Sequence, residues 1–143
     1  YCHIAHDCRL GNNIVIANGA LLGGVVEIGD RAFVSGAVTI HQFCRVGKLA
    51  MVAASARVNQ DCLPFVITDG SPARARALNA IGLRRAGMTA PEIQELKRAF
   101  RLLCRPGIAL EETLAELAAL EAPSVAELKR FIESSTRGFA HCR

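Results

Sequence analysis

An aliphatic residue returns at every sixth position over a long stretch of the chain: Ile4, Leu10, Ile16, Leu22, Ile28, Val34, Ile40, Val46, Val52 and Val58. The residue after each is mostly small, as at Ala5, Gly11, Ala17, Gly23, Gly29, Ser35, Gly47 and Ala53, and His41 is the exception in that column. Four places past each aliphatic comes another small or apolar residue, from Cys8 and Ile14 through Val38 and Cys44 to Cys62. A period of six is neither the 3.6 of an amphipathic helix nor the two of a half-buried strand. It fits a solenoid of very short strands with a corner every hexad, one inward aliphatic per strand and a small residue where the chain turns. Three hexads close a triangular coil of 18 residues, and successive coils stack at the parallel-strand spacing of about 4.8 Å.

The period ends after "CLPF" at residues 62–65, so residues 1–65 are expected to form the β-helix coils. The next stretch, within "TDGSPARAR", reads as a linker over residues 66–74. Residues 75–143 are expected to form a C-terminal α-helical domain. A first helix near 75–86 stops at Gly87, and Thr89-Ala90-Pro91-Glu92 has the form of a capping box that opens a second helix running to about Cys104. "LEETLAELAAL" at 110–120 gives a third, and Ser124 with Glu127 is expected to cap a fourth.

Composition excludes several classes. The 17 basic and 13 acidic residues are interspersed, so nothing resembles a nucleic-acid arm, and a small acidic partner fits the mild excess better. No apolar run approaches the roughly 20 residues that cross a bilayer, and no signal peptide is evident, so a cytoplasmic protein without an integral membrane segment is expected. The first residue is Tyr1, which suggests that the chain begins inside a larger protein. The six cysteines lack CxxC or zinc-finger spacing and read as reduced thiols used as small apolar fillers.

Polar residues interrupt the repeat at "HIAHDC" (3–8) and "IHQF" (40–43). Stepping by 18 from His6 reaches Gly24 and then Gln42, so these three share one vertical line, and His41 lies on the adjacent line above Ala5. His6 and His41-Gln42 are therefore about two coils, roughly 10 Å, apart on one side of the prism, with His3 just before the same corner. A lone histidine at a solenoid corner is ordinarily a solvated polar residue. A histidine followed by Asp7 and stacked beneath a glycine has more chemical content: imidazole titrates where it can take a proton from an alcohol near neutrality, and a carboxylate on its other nitrogen fixes the tautomer. The Gly24 N–H is an unshielded donor for a developing oxyanion. His3, His6 and His41 could instead be three neutral imidazole ligands of zinc, as in the γ-class carbonic anhydrases built on the same kind of prism. A third possibility is a non-catalytic solenoid serving as a trimeric scaffold.

"HIAHDC", "IHQFCRVG", "LNAIGLRRAG" and "SSTRG" together closely resemble the acyl-carrier-protein-dependent UDP-N-acetylglucosamine O-acyltransferases, which act first in lipid A biosynthesis. The resemblance spans all 143 residues and corresponds to the C-terminal half of that family's chain. It implies a left-handed parallel β-helix of hexapeptide repeats followed by a C-terminal α-helical domain, assembled as a homotrimer with sites between subunits. It also implies transfer of a 3-hydroxyacyl chain from the phosphopantetheine thioester of acyl carrier protein to the sugar 3-hydroxyl of UDP-N-acetylglucosamine, without a metal or other cofactor. His6 matches the general base, Asp7 its orienting carboxylate and Gly24 the oxyanion-hole amide. His3, His41, Gln42, Asn79 and Arg85 match substrate-binding positions. Ala54, with Met51 nearby, matches the end of the acyl-chain groove, where side-chain size measures chain length. Arg74, Arg76, Arg84 and Arg85 suit an acidic carrier protein, although a solvated face explains Arg74 and Arg76 equally well. The sequence departs from the family at Val25, Pro72, Ile81 and Ala86, where histidine, histidine, glutamate and arginine are expected; these departures bear on the grip on the sugar nucleotide.

Overall fold

A computed structural model describes residues 1–142. Ten two-residue strands follow the hexad: β1 (His3–Ile4), β2 (Arg9–Leu10), β3 (Val15–Ile16), β4 (Leu21–Leu22), β5 (Glu27–Ile28), β6 (Phe33–Val34), β7 (Thr39–Ile40), β8 (Arg45–Val46), β9 (Met51–Val52) and β10 (Arg57–Val58). They stack into three parallel sheets, β1-β4-β7-β10, β2-β5-β8 and β3-β6-β9, which form the faces of a solenoid of about four turns. Its register is the 18-residue step: His3 lies beside Leu21 and Leu21 beside Thr39.

The second residue of each strand points inward, and Leu22, Ile28, Val34, Ile40, Val46, Val52 and Val58 are buried. The corner column of Ala20, Val26, Ala32, Val38, Cys44, Ala50, Ala56 and Cys62 fills the remaining interior. Burying one such aliphatic contributes roughly 1.5–3 kcal/mol, and the ladder repeats that gain at each step. The corners are closed by a left-handed backbone at Asp7, Asn13, Gly19, Val25, Arg31, Ala37, Phe43, Leu49 and Ser55, again six apart. From Gly19 onward the corner N–H donates to a carbonyl of the rung below, as Val25 does to His6 (2.9 Å) and Phe43 to Gly24 (3.0 Å).

The expected linker at 66–74 is instead part of a hairpin. β11 (Val66–Asp69) adds in parallel to β9, turns through Gly70 at φ 100° and returns antiparallel as β12 (Arg74–Leu78). The open edge of β9 offers unpaired backbone groups to a run of Val66, Ile67 and Thr68, and pairing there overrides the helical composition of Ala75, Ala77 and Leu78. The first helix is correspondingly short, α1 (Ala80–Arg85). α2 (Ala90–Leu103) opens on Thr89, whose Oγ1 accepts from the Glu92 N–H, as expected. α3 (Leu110–Ala118) and α4 (Pro123–Glu133) follow. Ser124 does not cap α4: Pro123 occupies its first position, and Glu95 Oε2 accepts the Ala122 N–H at 2.5 Å. Leu83, Leu96, Leu117 and Leu128 of the helices share a second core with Leu49, Leu63 and Phe65 of the coil, so the helices pack directly on the solenoid.

Not all cysteines are free thiols. Cys104 and Cys142 are joined, tying the end of α2 to the tail, whose backbone also bridges to Ala75. Cys44 and Cys62 are the expected fillers, and burial pushes their thiols up to about 11 and about 12.

Candidate active site

His6 and Asp7 occupy the corner between β1 and β2. The left-handed backbone of Asp7, φ 57°, turns its carboxylate back toward its neighbour, and His6 Nδ1 lies 2.9 Å from Asp7 Oδ2. Adjacency in sequence is therefore no obstacle to a direct bond. Both side chains are about three-quarters exposed, at 74% and 79%, so this pair gains little stability and is open to a ligand. The other ring nitrogen faces the rung above: a Cβ on Gly24 would stand 2.5 Å from His6 Nε2. Only glycine lets the imidazole approach that backbone. The Gly24 carbonyl accepts from Phe43, and its N–H has no acceptor among the described residues. A histidine oriented by a carboxylate, with its free nitrogen beside an unpaired amide, has the parts needed to remove a proton and stabilise an adjoining oxyanion.

The remaining candidates fall into two groups. His3 and His41 line one groove of about 430 Å³ on the β1-β4-β7-β10 face, together with Leu21, Thr39 and Arg57. The His41 ring is held by a 3.2 Å contact between Nδ1 and the Gln42 carbonyl, and Gln42 is exposed one rung above Gly24. Met51, Asn79 and Arg85 line a different cavity of about 750 Å³, between the β3-β6-β9 face and α1, whose walls include Phe33, Leu49, Ile67 and Leu78. Asn79 also works structurally there. Its Oδ1 accepts from Gly82 at the start of α1, and its Nδ2 donates to Leu49 O at 3.0 Å. Ala54 is exposed at the corner after β9 and does not line the cavity that Met51 lines. One copy of the chain thus does not bring the His6 corner and the Asn79-Arg85 group together.

The zinc alternative needs His3, His6 and His41 to converge, yet among the described residues no three histidine, cysteine or acidic side chains are gathered to hold a metal. Of the departures, Val25 is half-buried with φ 60°, Ile81 is 59% exposed, Pro72 is exposed in the hairpin turn, and Ala86 caps α1. Sequence reasoning missed Arg31, whose Nη1 reaches the Ala86 carbonyl, because it sits in a corner column with no fixed residue type. It also missed the buried Asp61, which accepts from the Arg45 backbone N–H (2.8 Å), Arg45 Nε (3.1 Å) and Ser135 Oγ (2.8 Å). Its place just beyond the last regular rung, with an arginine 16 residues before it, was the available signal.

A family profile described as UDP N-acetylglucosamine O-acyltransferase, domain 2, matches residues 61–140. Over 140 residues the chain is 45% identical to an acyl-[acyl-carrier-protein]–UDP-N-acetylglucosamine O-acyltransferase of Alkalilimnicola ehrlichii, covering 96% of this chain and 54% of that protein. A protein of the same name from Herminiimonas arsenicoxydans is 44% identical, with 96% and 55% covered. Among solved structures, the UDP-N-acetylglucosamine acyltransferase of Campylobacter jejuni superposes with a TM-score of 0.93 at 43% identity, covering all of this chain and 56% of that one. The Bacteroides fragilis acyltransferase gives 0.94 at 32% identity. The chain spans about half the length of the curated relatives it matches. Its sequence and its fold agree: the chain belongs to the UDP-N-acetylglucosamine O-acyltransferase family.

Proposed function

We propose that this chain carries the catalytic corner of an enzyme that moves a 3-hydroxyacyl group from its thioester on acyl carrier protein to the 3-hydroxyl of UDP-N-acetylglucosamine, the first step of lipid A biosynthesis. The observation that carries this reading is the His6–Asp7 pair, 2.9 Å apart, with His6 Nε2 against Gly24. Asp7 accepts the Nδ1 proton of His6 and so leaves Nε2 as the acceptor nitrogen. Nε2 takes the proton of the sugar hydroxyl as that oxygen attacks the thioester carbonyl. The carbonyl oxygen becomes an oxyanion, and the Gly24 N–H donates to it. When the tetrahedral centre collapses, the carbon–sulfur bond breaks and the imidazolium returns its proton to the departing sulfur. No metal or other cofactor takes part in these steps.

Substrate binding would draw on His3, His41 and Gln42 around the corner, and on Asn79 and Arg85 across the cavity beside α1. Met51 and Ala54 would belong to the acyl groove. Because these groups lie on separate faces of one chain, a complete site calls for a second copy, and a homotrimer of left-handed coils in the cytoplasm fits this arrangement. The outward residues Leu21 and Phe33, 48% and 40% exposed, supply apolar surface for that contact.

The test is His6→Ala in the full-length protein. Acyl transfer is expected to fall by about 10²- to 10⁴-fold while the oligomeric state is kept. Turnover close to wild type would remove His6 from the mechanism.

A further inference from the structure

We propose that Arg31 is a phosphate-binding residue that acts with Arg85 in the wall of the cavity between the solenoid and α1. The two guanidinium groups come from different elements: Arg31 from the left-handed corner before β6, and Arg85 from the last turn of α1. Both line the cavity of about 750 Å³, whose walls are otherwise largely apolar through Phe33, Leu49, Met51 and Leu78. Neither is paired with a carboxylate among the described residues. Arg31 Nη1 donates to the Ala86 carbonyl over a long 3.5 Å, a weak bond that parks the side chain over the end of α1 and leaves its remaining donors without a protein acceptor among the described residues.

A basic residue in the last turn of a helix is explained by the local dipole, which accounts for Arg85. A second arginine, brought to the same cavity by a coil far earlier in the chain, is not. The side chain at residue 86 is only a methyl group, and the Arg31 guanidinium reaches the backbone of that residue from the solenoid side. Two forked, unpaired cations beside an apolar floor suit a phosphate carried on a slender, weakly polar arm. Resting on the function proposed above, this phosphate has two possible sources: the diphosphate of the nucleotide or the phosphate of the pantetheine arm.

The experiment uses the full-length protein, with uridine diphosphate and 4′-phosphopantetheine as calorimetric probes and steady-state kinetics for both substrates. Arg31→Asn suits the left-handed corner, since asparagine tolerates that conformation. It is expected to weaken one of the two probes about tenfold and to raise the KM of the corresponding substrate by more than it lowers kcat. Adding Ala86→Arg should restore most of the loss, and Arg31→Lys should show a smaller one. Weaker uridine diphosphate assigns the clamp to the nucleotide; weaker phosphopantetheine assigns it to the donor arm. If the wild type turns over and Arg31→Asn binds both probes as it does, Arg31 has no such role and the proposed function stands. A wild type that binds neither probe and transfers no acyl group overturns both.

Discussion

At the scale of single residues, the corner conformation is set by the coil and not by the amino acid that adopts it. Asp7, Val25, Arg31, Phe43 and Leu49 share a φ of 54–66°, a region that bulky and β-branched side chains avoid. The N–H groups of Val25, Arg31, Phe43 and Leu49 are committed to the rung below, so stacking compensates for local strain, and no glycine column announces these corners. The buried thiols carry a pH prediction. Cys44 and Cys62 start from 9.0 and rise to about 11 and about 12 in the folded protein, chiefly because burial disfavours the thiolate. A thiol raised on folding contributes stability that is complete below the unfolded value and is lost as pH rises toward the folded one. Unfolding midpoints should therefore decline from about pH 9 upward, and a Cys44→Ala/Cys62→Ala variant should show a shallower alkaline decline. Equal slopes for the two proteins would contradict this.

At the scale of elements, one ionic cluster fastens the helices to the coil. Asp61 is 1% exposed and holds Arg45, whose Nη1 and Nη2 donate to Ser134 Oγ (3.1 Å) and Phe131 O (2.9 Å) at the C-terminal end of α4. The same guanidinium lies 4.1 Å from the centre of the Phe131 ring. Removing one partner of a buried pair leaves an uncompensated charge, at a cost of about 3–5 kcal/mol. Asp61→Ala should therefore lower the thermal midpoint and expose the segment after α4 to limited proteolysis before the solenoid is cut. Simultaneous loss of both regions at an unchanged midpoint would argue against the cluster as the fastening. The hairpin of β11 and β12 teaches a related point. Its second strand has the composition of a helix, and the unpaired edge of β9 decided the outcome.

At the scale of the whole molecule, the His6 corner and the Arg85 cavity lie on separate faces, and only association can complete a site from both. Light scattering of the full-length protein at micromolar concentration is expected to give a trimer. A monodisperse monomer that retains acyl transfer would refute the shared site.

The sequence by itself determined the solenoid, because a buried aliphatic every six residues has few other ways to satisfy its period, and that period fixes the 18-residue register which stacks His6 beneath Gly24 and Gln42. It also marked the helices at Thr89 and Leu110, where capping and apolar spacing are local signals. Tertiary structure alone decided the rest. The Asp7 carboxylate reaches His6 across a left-handed corner whose His6 carbonyl accepts from Val25 of the rung above. Residues 66–78 become strand because an open edge lies beside them, and Cys104 meets Cys142 because the tail returns along β12. Arg31 meets Ala86 because α1 docks on the coil. Each of these depends on groups far apart in the chain, whose proximity no local pattern encodes.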